Sequence, residues 1–336
     1  MRPRCSPDGG CGGRDTRAHP TWFVVAEIPH LMLREFRDRF HPLHQIRRSK
    51  VFSTKVLPRA DLTVRVRMAD VDWPVYVRLV RHLSHIVNSR IVEQGPKSLF
   101  AVLIDRLSPK CFWDVGANFG IYSWLFLSRV HRGTAVLLEP EPDNLILLRR
   151  TIAHSNLEVI CLPVAASDES SEAVFHRDSV TGLTGALSGD TEPYVSLHYG
   201  RRSPTMTVQT TSLDDLATTQ EPPDLIKIDV EGAELSVLRG ARALLREREP
   251  VVLFEAQQQH RDEAIAMLSE AGYVVQSSLG PDESTYSLTD ARISSAGDFI
   301  ALPARFSQVW PEIRADWSKR LQQGRRTLWP VKATAR

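Results

Sequence analysis

Through the middle of the chain, short apolar runs alternate with stretches whose apolar residues recur at helical spacing. The run Cys111–Val115 leads into a helical pattern over Ile121–Val130, and Thr134–Glu139 into one over Asp143–His154. A third run, Glu158–Pro163, follows. Further on come Leu225–Val230, a helical pattern over Ala233–Arg246, the run Val251–Ala256 and a helical pattern over Arg261–Ala271. Two more runs, Tyr273–Gln276 and Asp298–Leu302, close at Pro303. Apolar runs of this length read as buried strands, and repeated strand–helix units predict a mostly parallel sheet with helices on both faces. No long helix separates the last two strands, so they are expected to pair as an antiparallel edge hairpin of an α/β fold.

Before this alternation, Leu62, Val64 and Val66 alternate with Thr63, Arg65 and Arg67, the pattern of a strand in a small ribbon. Pro74 is expected to open a helix through Tyr76, Leu79, Leu83 and Ile86, and Pro96 a second one ending at Leu107. Between the third and fourth strands lies an insertion, Ser167 to Pro223, in which Ala173–Phe175 and Met206–Thr210 look like extra short strands. Its Thr181–Pro204 portion is rich in Gly, Ser and Thr and carries Tyr194, His198 and Tyr199; so long an irregular segment is either functional or a surface loop. The implied organisation is an N-terminal extension over 1–60, a strand-and-helix lead-in over 61–110, a catalytic domain over 111–303 and a tail over 304–336.

Charge sharpens that division. Residues 1–60 hold twelve Lys/Arg against five Asp/Glu, and residues 304–336 hold eight against two, although the whole chain is only +2. The central body is therefore acidic, which argues against nucleic acid as its substrate. The basic ends suit either an anionic surface or plain solvation, and the Pro-, Gly- and Arg-rich first twenty residues are expected to be disordered. Cys111 and Cys161 fall in apolar runs, and Cys5 and Cys11 match no zinc spacing, so no metal site is expected from the cysteines. No apolar run reaches bilayer length and no secretory core is visible near the start, so a soluble cytoplasmic protein is expected. Oligomeric state is not legible.

The chemistry concentrates in Phe112-Trp113-Asp114-Val115-Gly116-Ala117-Asn118-Phe119-Gly120, a strand ending in an acid, a glycine turn and a helix start. Glycines let a ligand approach the backbone, and the free N–H groups of a helix start favour an anionic group. The spacing Gly-x-Gly-x-x-Gly is absent, so the loop is not a dinucleotide fingerprint. One strand–helix unit later, Glu139 ends the second strand, where a carboxylate can grip a ribose.

Five motifs in order carry a family resemblance. They are Asp114–Gly120, Glu139-Pro140-Glu141-Pro142, Ala165-Ala166-Ser167-Asp168, Thr210–Leu216 and Ile226-Lys227-Ile228-Asp229-Val230-Glu231-Gly232-Ala233-Glu234. The stretch from about 110 to about 303 resembles the FkbM-type methyltransferases, which implies the seven-stranded Rossmann-like class I methyltransferase fold and S-adenosylmethionine as cofactor. The family's range of acceptors leaves the substrate open: a small molecule, a natural product or a sugar hydroxyl.

On that resemblance, Asp114 faces the cofactor's ammonium, Gly116 and Gly120 keep the loop clear of side chains, Asn118 offers donor and acceptor, and Glu139 accepts the ribose hydroxyls. Ser167 and Asp168 fall where the family holds the adenine. The competing roles are a helix cap for Asp114, a surface strand end for Glu139, and turn formation for Ser167 and Asp168. A hydroxyl acceptor needs a base, and Asp229 leads, with Glu231 and Glu255 at the same rim. Those three acids can raise one another's pKa or bind a divalent ion, which the sequence allows without requiring; Asp229 and Glu231 also suit a helix start. Lys227 is placed to pair with one of them. His176, His198 and His260 have no diagnostic spacing. Two other functions stay open: a cofactor-binding scaffold without catalysis, and a nicotinamide-dependent oxidoreductase, which the loop sequence disfavours.

Overall fold

The computed structural model describes Ser49 and residues 51–328, apart from 88, 91, 179, 181, 189–195, 197–201, 279 and 282–296. The expectations for the first 48 residues, for Tyr194, His198 and Tyr199, and for 329–336 lie outside the described residues. The strands run β1 (Thr63–Arg67), β2 (Pro74–Arg78), β3 (Cys111–Val115), β4 (Thr134–Leu138), β5 (Ile160–Leu162), β6 (Ala165–Ala166), β7 (Glu172–His176), β8 (Ala186–Leu187), β9 (Thr205–Thr211), β10 (Leu225–Ile228), β11 (Val251–Ala256), β12 (Tyr273–Ser277) and β13 (Gly297–Pro303).

Seven of them form the central sheet in the order β12-β13-β11-β10-β3-β4-β5. β11, β10, β3, β4 and β5 are parallel, and β13 is antiparallel to both β11 and β12. The hairpin expected at the edge is present, with β13 on its inner side and β12 outermost. Parity along β3 explains the two cores. Phe112 joins Phe100, Trp124, Phe126 and Leu137 on one face, while Cys111, Trp113 and Val115 join Val136, Leu138, Ile226 and Phe254 on the other. A strand covered on both faces carries apolar residues in both registers, which is why it reads as a continuous run.

Two expectations are corrected. Pro74 opens a strand, β2, which pairs antiparallel with β1, and the helix begins only at Leu83. Val75 and Val77 are fully buried while Tyr76 and Arg78 are not, a two-residue period that fits β-branched residues, and proline is tolerated at a strand's first position. The helix expected over Ala233–Arg246 is two helices, Glu234–Arg239 and Arg242–Glu247. At the break, a Cβ on Gly240 would overlap the carbonyl oxygen of Ser167.

The insertion's expected strands exist as β7 and β9, part of a small sheet ordered β6-β9-β7-β8. Past 303, the stretch read as a basic tail contains a helix, Trp310–Leu328. Trp310, Ile313 and Trp317, at helical spacing, are buried in the same core as Phe100 and Phe112, and Trp317 Nε1 donates to the Gly95 carbonyl at 3.0 Å. Its two acids, Glu312 and Asp316, both pair with Arg106. Trp317→Ala should therefore cost about 3–5 kcal/mol of stability in urea unfolding; a change below about 1 kcal/mol would detach this helix from the core.

Candidate active site

Chain order reverses between β3 and β10: after β3 the chain builds β4 and β5 on one side, then returns to lay β10 on the other. In open α/β sheets, ligands bind outside the carboxyl ends of strands at such a point. A cavity lies there, with Gly116, Asn118 and Glu139 on one side and Asp229, Val230 and Glu231 on the other. Leu138, Ala165 and Ala166 supply apolar wall, and Asp178, Gly182, Leu183 and Leu187 reach it from the insertion.

Glu139, one residue past β4, is buried. Its Oε2 accepts from the Asn118 backbone N–H at 2.7 Å and its Oε1 from the Glu141 N–H at 2.8 Å. Burial outweighs those bonds and pushes the carboxyl up to about 8. Asn118 takes a left-handed backbone, φ +55°, and its Nδ2 donates to the carbonyls of Gly182 and Leu183 at 3.4 and 3.3 Å. Its Oδ1 is buried with no hydrogen-bond partner among the described residues. Gly116, at φ +78°, is required less by a ligand than by the backbone: a Cβ there would overlap the Asp229 carbonyl oxygen.

The other residues expected around a cofactor stand elsewhere. Asp114 does not line the cavity. Its Oδ2 accepts from the Ser123 N–H at 3.2 Å and the Ser123 hydroxyl at 2.7 Å, so it secures the first turn of helix Ile121–Arg129. Burial raises its pKa, with Lys227 and Ser123 opposing. Gly120 sits at φ +85° just before that helix, where a Cβ would meet the Trp124 ring at 2.6 Å. Ser167 and Asp168 lie outside the lining, with the Ser167 hydroxyl donating to Asp168 at 3.0 Å across an exposed turn.

On the opposite side, β3 and β10 are in register with Lys227 beside Asp114. Parity sends both side chains to the face holding Tyr122, and Lys227 Nζ lies 4.7 Å from that ring's centroid. Lys227 Nζ also donates to Asp229 Oδ2 at 2.6 Å. Burial opposes the ammonium, but Asp229, Asp114 and Glu93 outweigh it and hold its pKa above the usual range. Tyr122 donates its hydroxyl to Glu93 at 2.9 Å.

Glu231 lines the cavity at φ +56°, a sparsely populated backbone for a non-glycine residue. Burial first, then Asp229, Glu255, Glu234 and Asp178, raises its carboxyl well above the ordinary range. Glu234 ties the loop from inside, accepting from Gly232 N–H at 3.0 Å and Val230 N–H at 3.2 Å. Glu255 acts on Glu231 through its charge but is not a lining residue. Among the described residues, no three His, Cys, Asp or Glu side chains converge as a metal site. His176 bonds to the Ser188 hydroxyl at 2.8 Å and His260 to Gln259 at 3.1 Å; neither lines the cavity.

Three contributors have no role assigned from sequence. Asn144 donates to the Gly182 carbonyl at 3.4 Å. Glu141 caps helix Pro142–Ser155, accepting from the Asp143 N–H, and binds Arg177 through both oxygens. Asp178, nearly fully buried, takes the N–H groups of Val180, Leu183 and Thr184. Only Glu141 carried a visible signal, its place before Pro142 at a helix start.

Among the described residues, no helix is long and apolar enough to cross a membrane. The methyltransferase FkbM domain matches residues 114–275. A hexuronic acid methyltransferase, AglP of Haloferax volcanii, is 27% identical over 150 residues, which are 44% of this chain and 56% of that protein. The chain thus spans little more than half of that relative's length. Among solved structures, a methyltransferase FkbM from Methylobacillus flagellatus is 13% identical with a TM-score of 0.38, over 81% of this chain and 60% of that one. Trm1 from Pyrococcus horikoshii, solved with S-adenosyl-L-methionine, is 14% identical with a TM-score of 0.37, over 72% and 62%. The matched residues begin at Asp114 and take in Glu139, Asp229 and the rest of the cavity's lining, so the whole cavity lies within the stretch that matches the methyltransferase FkbM domain.

Proposed function

We propose that the chain is an S-adenosylmethionine-dependent methyltransferase acting on a hydroxyl of a small molecule, natural product or sugar. One observation carries this reading: a single cavity has Glu139 and Asn118 on one side and Asp229 and Glu231 on the other. Such a cavity can seat a cofactor and bring an acceptor to a carboxylate. The relative named for hexuronic acid favours a sugar among the acceptors.

The residues fit that cofactor. Asn118 Oδ1 is a buried acceptor without a partner, suited to an ammonium or hydroxyl donor, and Glu139 offers a buried carboxylate to a ribose diol. When bound, adenosylmethionine supplies a methyl group activated on a sulfonium sulfur. Asp229 receives the acceptor's hydroxyl proton: its Oδ2 is held by Lys227, and Oδ1 takes no protein donor among the described residues. Burial and acidic neighbours raise the Glu231 carboxyl well above the ordinary range, which favours the form that can donate a hydrogen bond. Glu255 contributes through Glu231. Alignment of the acceptor with the methyl group supplies much of the rate, since positioning is worth roughly 7–11 kcal/mol.

Calorimetry with adenosylmethionine against NAD, followed by transfer of labelled methyl to a panel of hydroxylated acceptors that includes hexuronic acids, tests the reading. Binding of NAD in place of adenosylmethionine would overturn it. With an acceptor found, Asp229→Asn should lower kcat by roughly 100-fold or more while cofactor affinity changes less than about threefold. Full activity in that variant would leave positioning alone as the source of rate.

Glu139 makes a pH signature. In the empty protein its carboxyl is raised from an ordinary 4.5 to about 8, so its contribution to stability is present at low pH and is lost as pH rises across that window. Ribose hydroxyls that donate to it bind the ionised form. Adenosylmethionine binding at pH 7 should therefore release close to one proton, read by calorimetry in buffers of different ionisation enthalpy. Glu139→Gln should release almost none and bind on the order of 100-fold more weakly, since hydrogen bonds to a charged group are worth about 1.5–3 kcal/mol each. Equal proton release in the two proteins would remove Glu139 from the ribose.

A further inference from the structure

The insertion lines the cavity with residues of β7, β8 and the segment between them, and Asp178 lies in that segment. Its carboxylate accepts from the Val180 N–H at 2.8 Å, the N–H groups of Leu183 and Thr184 at 3.3 Å, and the Thr184 hydroxyl at 2.9 Å. A side chain that gathers the backbone donors of the residues after it folds them into a turn around itself. Gly182, at φ +68°, lies in that turn. The turn's outward carbonyls, Gly182 and Leu183, face the Asn118 amide, and Gly182 also accepts from Asn144. Beside it, Arg177 binds both oxygens of Glu141, the cap of the helix that carries Asn144.

A side-chain amide has a donor end and an acceptor end. With Nδ2 of Asn118 facing two carbonyl oxygens, Oδ1 is the end left in the cavity wall, buried and without a partner among the described residues. The reverse orientation would set Oδ1 against those same oxygens. Nothing within Asp114–Gly120 makes that choice; the turn held by Asp178 does.

We infer that Asp178 is a positioning residue of the cofactor site, holding the Gly182 and Leu183 carbonyls against the Asn118 amide so that Asn118 Oδ1 is presented to a donor on the bound cofactor. The inference rests on the reading of adenosylmethionine as that cofactor, whose ammonium and ribose hydroxyls are donors of the required kind.

Titration calorimetry of adenosylmethionine with the full chain and with Asp178→Ala, Asn118→Ala and the double variant is the test. Each single variant should bind roughly 10-fold more weakly, and the double variant should stay within about threefold of Asn118→Ala alone, because Asp178 acts through Asn118. Equal losses for Asp178→Ala in both backgrounds, or no loss at all, would overturn the inference while leaving the cofactor reading intact. Absence of binding by the unaltered protein would instead sink the cofactor reading and this inference with it. Asn118→Asp needs no change at Asp178 and covers the case in which Asp178→Ala does not fold. It keeps an acceptor but turns an oxygen on the two carbonyls, so it should also bind roughly 10-fold more weakly; parent-like or tighter binding would show the clamp to be dispensable.

Discussion

The site depends on how closely two backbones approach at the end of the sheet. After β3 the chain turns at Gly116 directly against the Asp229 carbonyl, and the Asp229 N–H donates to the Val115 carbonyl at 3.0 Å. The same turn is pinned from the other side, with the N–H groups of Gly116 and Ala117 both donating to the Leu138 carbonyl at 3.0 Å. One glycine thus fixes three strand ends relative to one another. Asn118 and Glu139 face Asp229 and Glu231 across the cavity because no side chain stands at 116. A substitution there would be strained by its positive φ as well as by overlap, and it would displace both halves of the site together.

The electrostatics follow from that closeness. Packing Asp114, Asp229 and Glu231 around the ends of β3 and β10 concentrates negative charge in a poorly solvated place. Lys227 sits inside the group, tied to Asp229 and lying over the Tyr122 ring. Removing the ammonium would leave those carboxylates without the cation that offsets their repulsion. The lysine is thus part of what lets acids occupy this rim. Glu231 and Glu234 answer the remaining crowding differently: burial raises both carboxyls, Glu234 to about 7, and backbone N–H groups take up Glu234's oxygens.

The sheet was readable because its central strands are buried on both faces and so appear as unbroken apolar runs; β3 and β4 needed no partner to be recognised. β2 was missed because Pro74, Tyr76, Leu79, Leu83 and Ile86 also fit a helical spacing, and only pairing with β1 decides between the two periods. Glu139, Asn118, Gly116 and Asp229 stand at the cavity because strand ends and turns are local features. Asp114 and Gly120 belong to the same motif, yet the Asp114 carboxylate turns inward to Ser123 and Gly120 abuts the Trp124 ring, since sequence order along a turn does not say which residues line a cavity. Asp178 and Asn144 could not be found at all. Their importance exists only once the insertion folds back on residues far away in the chain.

The residues that serve the cavity do not all fall within the matched domain. Glu93 precedes residue 114, yet it takes the Tyr122 hydroxyl and adds its charge to those that hold Lys227. Its neighbour His85 has its ring edge-on to Phe119, in the turn between Asn118 and Gly120. Both segments therefore reach the cavity's surroundings: the insertion, through the Gly182 and Leu183 carbonyls, meets the Asn118 amide, and the lead-in, through Glu93, acts on Lys227, which pairs with Asp229. A fold shared among many methyltransferases fixes neither contact, because both come from segments outside the common strand ends. Change in the lead-in can therefore reach Lys227 through Glu93, and change in the insertion can reach Asn118 through the Gly182 and Leu183 carbonyls.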